Sequence, residues 1–294
     1  MKMSILMDNS SRIRFGNITL VTIIVILLAF IYYPTVTMLI SDWDSNPDYS
    51  HGYFIPFISF YMLWQVFKQM ESSDIKFSNL GLVPLAFGVV LQSIAFVGSE
   101  HFLQGVSLIV VLWGMVFYLG GPQLAWRFAI PIGYLIFMIP LPSIILNKFS
   151  FILKLQATNV AVFLLRLPGN MAIMQGGNVI HLPNGSLEVA DACSGLRSLI
   201  SMLALGVLIA FISKYALWKK WALVALAIPI AMVANIVRII IMVILADKYG
   251  IAIAESFIHT FSGILVFVIG FVLLIGFQFL FISMESNVNR KIKS

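Results

Sequence analysis

The chain has 294 residues, of which 61% are hydrophobic and only 10% are charged. Soluble domains carry roughly 25% charged residues on average, and a soluble chain of this length could not hide so much apolar surface from water. A bilayer can accommodate that surface, because lipid tails are an apolar solvent. The formal net charge of +6 could suit nucleic acid, but the basic residues lie between apolar runs, where membrane topology explains them better. No nucleic-acid partner is therefore expected.

Eight apolar runs are candidates for transmembrane helices, which need about 20 apolar residues each. In chain order they are Asn17–Ile40, Tyr53–Phe67, Leu80–Val97, Phe102–Leu119, Phe128–Leu146, Leu196–Phe211, Ala222–Ala246 and Gly263–Ile282. The second run is short, and the first is too long and lacks the small-residue cleavage site of a removable signal peptide. The sequence predicts an all-α polytopic membrane protein of about eight transmembrane helices. We expect a single membrane-embedded domain over residues 1–294 without a soluble C-terminal domain.

Lysine and arginine are distributed unevenly over the connecting segments, and this distribution predicts the orientation. If the N-terminus is cytoplasmic, the inner segments hold most of the basic residues, including Arg12, Arg14, Lys219 and Lys220. The outer segments then hold most of the acidic residues. Both termini are therefore expected in the cytoplasm.

The gap between the fifth and sixth runs is the one sizeable extramembrane region, and it is expected outside the membrane over residues 147–192. Its first part, Asn147–Leu167, mixes apolar and polar residues as a helix lying in the outer interface does. The turn signal Pro183-Asn184-Gly185 then separates Asn178–Leu182 from Ser186–Ala190. This pattern predicts a small β-hairpin that leads the chain to Cys193.

Cys193 is the only cysteine of the chain, which excludes an internal disulfide framework and a cysteine-rich metal site. It opens the sixth apolar run, where the free N–H groups and positive dipole end of a helix favour a thiolate. Arg197 lies one turn further along and adds positive charge. The alternative is a small buried cysteine that only packs.

Arg238 interrupts the apolar run that contains Asn235 one turn earlier. An arginine at mid-bilayer costs about 2.5–3.5 kcal/mol on insertion scales, so it is not expected to face lipid. It lies roughly 24 Å along the helix from Ala222, in the outer third of the membrane. The alternative role is a structural ion pair with Asp191, Glu188 or Glu255.

His259 lies just before the last apolar run, on the expected outer side. The other three histidines, His51, His101 and His181, are also expected on the outer side. None of the four has a second ligand at metal-like spacing, so neither a metal nor another cofactor is expected. The alternative for His259 is an interfacial histidine bonded to backbone.

Connectivity brings three of these groups to one membrane face, because the sixth run starts outside with Cys193, the seventh ends outside near Arg238, and the eighth starts outside after His259. Acyl transfer needs a thiolate that attacks a carbonyl, an imidazole that moves the proton and a cation that stabilises the oxyanion. The sequence thus predicts that Cys193, His259 and Arg238 are catalytic.

Four segments resemble the exosortase family of bacterial membrane cysteine transpeptidases, which is related to the archaeosortases. They are Tyr49–Pro56, Ala192–Ser198, Ala234–Arg238 and His259–Gly263, and the resemblance extends roughly from Asn17 to Ile282. The resemblance implies the same catalytic residues, Cys193, Arg238 and His259. It also implies a multi-pass protein of the bacterial cytoplasmic (inner) membrane whose active site faces the periplasm or exterior.

The resemblance also implies a substrate class. Members of the exosortase family act on exported proteins with a PEP-CTERM-type C-terminal signal. This signal is made of a short Pro-Glu-Pro-type motif, a hydrophobic helix and a basic tail. The enzyme would cut near the motif and transfer the new C-terminus to an acceptor, lipid or glycan, which the sequence does not identify. We select as substrate-binding candidates Arg197, Ser194, Asn235, His51 and Arg166.

Three alternatives stay open at this point. A hydrolytic membrane protease would use the same site with water as acceptor. A transporter or flippase usually shows repeats and polar groups at mid-membrane, which are sparse here. A scaffold for polysaccharide export would tolerate any replacement of Cys193.

Overall fold

The structure is a computed structural model that describes residues 2–70, 77–167, 174–183, 185–189, 195–252, 261 and 263–280. Within these ranges the chain forms eight α-helices and a three-stranded sheet. The helices are α1 (Lys2–Ser45), α2 (Phe54–Phe67), α3 (Leu82–Val97), α4 (His101–Gly133), α5 (Ser143–Arg166), α6 (Leu196–Ile212), α7 (Leu217–Tyr249) and α8 (Gly263–Leu280). Short 3₁₀ helices cover Pro47–Tyr53, Asn79–Gly81 and Tyr134–Met138.

Six helical stretches of the described residues are long and apolar enough to cross a membrane: Thr22–Ser45, Asn79–Val97, His101–Met138, Ser143–Arg166, Leu217–Tyr249 and Gly263–Leu280. The prediction of an all-α polytopic membrane protein is therefore confirmed. Two further apolar helices are shorter. α2 has 14 residues and α6 has 17, so at 1.5 Å per residue they reach only about 21 and 26 Å, against a hydrocarbon core of about 30 Å.

The predicted fifth span, Phe128–Leu146, is wrong. α4 continues through Phe128 to Gly133, a 3₁₀ helix follows over Tyr134–Met138, and α5 starts at Ser143. The break follows from Pro140 and Pro142, because proline lacks the N–H that a helix interior needs and favours an extended residue before it. The expected loop after Leu119 is instead a kink inside α4 at Gly121, whose φ is 79°.

The segment predicted as an interfacial helix over Asn147–Leu167 is α5, which starts four residues earlier. One face of α5 is buried, including Lys154, Ala157 and Ala161. Its length and composition also allow it to cross a membrane, so its placement at the interface stays a prediction.

The predicted hairpin is present and has one strand more than expected. β2 (Val179–Leu182) pairs antiparallel with β3 (Gly185–Glu188), with Ile180 opposite Leu187. β1 (Met174–Gly176) adds to the other edge of β2. The two residues between β1 and β2 are Gly177 and Asn178, and Gly177 has a φ of 66°, as two-residue hairpin turns require.

The chain forms two compact units, and the prediction of a single domain stays a prediction. The first unit covers Met1–Pro47 and Ser72–Trp126. Its core contains a buried polar network in which Gln92 donates to Thr35 Oγ1 at 2.7 Å and accepts from Ser107 Oγ at 2.7 Å. Such satisfied hydrogen bonds hold helices together where lipid offers no partner for polar groups.

The second unit covers Asp48–Glu71 and Arg127–Ser294, and its centre is the antiparallel pair of α6 and α7. The first half of α7 packs on α6 and α8 in an apolar cluster that includes Leu223, Met202 and Leu274. The second half of α7 packs on α5 and on the sheet, in a cluster that includes Val243 and Ile180. α7 is therefore covered along most of its length.

Candidate active site

Two polar side chains are buried in α7 between its two apolar clusters. Asn235 is 2% exposed and Arg238 is 6% exposed. The cluster before them ends at Ala231, and the cluster after them begins at Ile239. This burial agrees with the prediction that Arg238 does not face lipid. A guanidinium held by a packed helix in so apolar a setting interacts strongly with any charge that develops beside it.

The N-terminus of α6 reaches the same point of α7. Gly195 is its N-cap residue and has a left-handed φ of 76°. A Cβ placed on Gly195 would lie 2.9 Å from Cγ and Nδ2 of Asn235. The Gly195 carbonyl starts the helix, because it accepts from the N–H of Leu199 at 2.8 Å and from Ser198 Oγ at 2.9 Å. The backbone thus passes directly against Asn235, one turn before Arg238.

A third element meets α6 at its first turn. Asp48, in the 3₁₀ helix Pro47–Tyr53, accepts a hydrogen bond on Oδ1 from Arg197 Nε at 2.6 Å, and Nη2 of Arg197 forms an ion pair with the same oxygen at 2.5 Å. Arg197 is therefore engaged in an ion pair. Asp48 does not stand out from the other acidic residues in the sequence, because its partner is 149 positions away.

The same 3₁₀ helix is anchored at two more points. The buried Tyr49 accepts at Oη from the N–H of Leu141 at 3.0 Å. The His51 ring donates from Nε2 to the Phe137 carbonyl at 3.2 Å and stacks on the Tyr49 ring with centroids 6.2 Å apart. His51, a candidate for substrate binding, is thus held as part of this anchor.

The protonation of His51 follows from its surroundings. Burial lowers the pKa of His51 below its ordinary value, while hydrogen bonds to the backbone of Phe137 and Asp48 partly offset that effect. The ring is therefore neutral at pH 7. Because burial disfavours the imidazolium that forms when a base takes up a proton, His51 is a poor candidate for the base that activates a nucleophile.

A cavity of about 230 Å³ lies beside this anchor. His51 lines one part of it, and apolar side chains of α2, α6 and α8, among them Ile58, Leu208 and Phe267, line most of the rest. Its chemistry suits an apolar occupant.

The remaining predicted site residues are placed as follows. Cys193, Ser194 and His259 lie outside the described residues. Arg166 is exposed in the last turn of α5. Of the acidic residues that could pair with Arg238, Glu188 is exposed and accepts from Asn178 at 3.2 Å, whereas Asp191 and Glu255 lie outside the described residues. The part of the chain that the structure describes contains no group of three or more His, Cys, Asp or Glu side chains able to hold a metal ion.

Two buried or paired residues were not singled out from the sequence. Asp48 is one of them, and Lys154, 7% exposed on the packed face of α5, is the other. Lys154 stands at helical spacing with Thr158 and Ala161, a pattern that predicts a buried face, but the basic charge favoured an interfacial interpretation.

Comparison with protein families matches residues 43–276 to the family described as transmembrane exosortase (Exosortase_EpsH). The matched range includes all the candidate site residues. Comparisons with curated proteins and with solved structures gave no match. Because the family match covers well over half of the 294 residues, the chain belongs to the transmembrane exosortase family, and membership supports a general function as a membrane transpeptidase in protein sorting.

Proposed function

We propose that this protein is a membrane cysteine transpeptidase that cleaves a PEP-CTERM-type C-terminal sorting signal and transfers the new C-terminus to an acceptor. The observation that carries the proposal is the packing of Gly195 against Asn235, one turn from the buried Arg238. Cys193 is two residues before Gly195, and two residues of chain span at most about 7 Å. The proposal therefore assigns the nucleophile to the stretch of chain that leads into this contact.

The proposed reaction has two steps. The Cys193 thiolate adds to the scissile carbonyl, the C–N bond breaks, and the leaving amine takes a proton from the His259 imidazolium. A nucleophile of the acceptor then adds to the resulting thioester and gives its proton to His259, and the Cys193 thiolate leaves. Arg238 stabilises the oxyanion in both additions, where preorganised positive charge in a dry site is most effective.

The second unit offers features that suit such a substrate. β3 is an edge strand of the sheet and ends five residues before Cys193 in the sequence, so an extended motif could pair with it by strand addition. The apolar cavity beside α2, α6 and α8 suits side chains of the signal's hydrophobic helix. Arg197 is already paired with Asp48, which leaves Arg166 as the stronger candidate for the motif's carboxylate.

The proposed location is the bacterial cytoplasmic membrane, with the site facing the periplasm and both termini in the cytoplasm. The Asp48–Arg197 contact supports the placement of these two segments on one side, as the distribution of lysine and arginine assigns them, and that distribution alone supplies the direction. A thiol reagent that does not cross membranes should label Cys193 from the periplasm. Labelling from the cytoplasm alone would contradict the orientation.

The central experiment replaces Cys193 by Ala and by Ser in cells that produce a tagged protein with such a tail. Both variants should lose processing by roughly 10³-fold or more, as losses of a nucleophile do. Asn235 and Gly195 are left intact, so the packing at α7 is preserved. Processing at the normal rate in the Ala variant would refute the proposal.

The roles of the other two residues need separate variants. Arg238→Lys keeps the charge but loses the planar fork, and we expect a loss of roughly 10²-fold in rate. Arg166→Lys is the matched control on an exposed helix end and should affect substrate affinity more than rate. His259→Ala should slow formation of the acyl-enzyme sharply. Near-normal turnover in Arg238→Lys would indicate a structural role for Arg238.

A purely hydrolytic protease would share the acyl-enzyme. Mass spectrometry of the processed product separates the two reactions. A transpeptidase leaves the new C-terminus joined to an acceptor, whereas a hydrolase leaves a free carboxylate.

A further inference from the structure

We propose that Asp48 is a positioning residue for this reaction, because its ion pair with Arg197 holds the first turn of α6 and balances the charge of Arg197, four residues after Cys193 in the sequence. The inference rests on the proposed function of Cys193. It concerns a residue to which neither the sequence pattern nor the family resemblance gives a role.

The Asp48–Arg197 ion pair is close at two nitrogen atoms. Nε and Nη2 of Arg197 both contact Oδ1 of Asp48, at 2.6 and 2.5 Å. The Arg197 side chain is 45% exposed and the Asp48 side chain is 35% exposed. Exposed pairs add little to stability because water and salt screen them. The contact therefore matters less for folding than for where it places the start of α6.

The 3₁₀ helix that carries Asp48 is held in place by its neighbours. Tyr49 and His51 anchor this 3₁₀ helix to Leu141, which follows the 3₁₀ helix Tyr134–Met138, and to Phe137 within it. A carboxylate on a braced segment loses little entropy when it pairs. Asp48 thus fixes Arg197 to the 3₁₀ helix, and Gly195 against Asn235 fixes the same turn to α7.

The charges of Asp48 and Arg197 also act at the start of α6. Arg197 stands in the first turn of α6, where the helix dipole disfavours a cation and favours an anion such as Asp48. A thiolate four residues before Arg197 is stabilised by the guanidinium and destabilised by the carboxylate. Removing one partner or the other should therefore change thiolate reactivity in opposite directions.

The test uses the full chain in detergent and follows alkylation of Cys193 by iodoacetamide at pH 7. Since Cys193 is the only cysteine, the signal comes from this residue alone. Asp48→Asn should alkylate about threefold faster, and Arg197→Gln about threefold slower, as expected for one water-screened unit charge a few residues from the thiol in the chain. The double variant should return close to the wild-type rate.

The matched control is Lys214→Gln, which removes a positive charge just beyond the other end of α6, roughly 25 Å along the helix from Arg197. Its alkylation rate should not change. A merely structural ion pair would instead loosen the site in both single variants, and both rates would then move in the same direction. That result, or no change in either single variant, would overturn the inference.

Turnover supplies an independent readout. Asp48→Asn and Arg197→Gln should lower kcat about tenfold at little change in KM, and the exchanged pair Asp48→Arg with Arg197→Asp should restore part of the loss. If Cys193→Ala still processes substrate, the proposed function fails, whatever the alkylation rates show. If Cys193→Ala is inactive but the two alkylation rates do not diverge, the positioning inference alone fails.

Discussion

Substituting Gly195 by Ala tests whether the start of α6 is fitted against α7. Gly195 has a φ of 76°, and Ala in this left-handed region costs about 1–2 kcal/mol. The new methyl would also lie 2.9 Å from Cγ and Nδ2 of Asn235 and 3.2 Å from its Cβ, where carbon atoms normally stay about 3.5–4.0 Å apart. Such overpacking adds about 1–3 kcal/mol. We therefore expect a loss of about 2–5 kcal/mol in the free energy of unfolding.

Two other glycines separate these contributions. Gly177 has a φ of 66° and open space around its Cβ position, so Gly177→Ala should lose only the backbone part, about 1–2 kcal/mol. Gly276 lies inside α8 with no atom within 4 Å of a built Cβ, so Gly276→Ala should stabilise by about 0.5–1 kcal/mol.

Asn235→Ala supplies the rescue, since it removes the two atoms closest to the new methyl. The double variant with Gly195→Ala should recover about 1–3 kcal/mol relative to the sum of the single variants. Unfolding in detergent can be followed by the fluorescence of the tryptophans. If Gly195→Ala is no less stable than Gly177→Ala, or if Asn235→Ala yields no recovery, the close approach of α6 and α7 is refuted.

Two further predictions concern buried polar groups. Because burial lowers the pKa of His51, the wild-type chain should lose thermal stability as the pH falls from about 7 through the ordinary histidine range and below. His51→Gln should lack this part of the decline, whereas the exposed His181→Gln should retain it; identical pH profiles for all three would contradict the assignment. Gln92→Leu should cost about 1–2 kcal/mol in the free energy of unfolding, since it removes the two buried hydrogen bonds that Gln92 makes with Thr35 and Ser107 in the first unit. Ser93→Ala, at an exposed position of the same helix, is its control and should be nearly neutral in the same melt.

Much of the helical framework could be predicted from hydrophobic runs. The predicted Leu80–Val97 and Gly263–Ile282 agree closely with the observed Asn79–Val97 and Gly263–Leu280. These runs can be read locally, because each is an apolar segment bounded by polar residues or by glycine and proline. The fifth span failed because the apolar residues on both sides of Pro140 outweighed the proline signal.

The candidate site likewise has features that the sequence predicted and features that it did not. An arginine within an apolar run predicts a buried guanidinium, because lipid penalises an exposed charge, and Arg238 is indeed buried. Nothing local predicts that Asp48 engages Arg197 or that His51 donates to the backbone at Phe137. Both contacts depend on how α2, α6 and the turn after α4 pack together.

The sequence by itself determined that this is a membrane protein and that its chemical groups are few, because total apolar surface and isolated charges are properties of composition and local order. Only the tertiary structure decided which of those groups meet. The apolar run from Leu196 predicts a helix, but the place where that helix begins against α7 follows from Gly195, which has no Cβ and fits against Asn235. The partner of Arg197 likewise follows from a braced 3₁₀ helix that brings Asp48 across 149 positions of chain, because packing, and not sequence proximity, sets distances between helices.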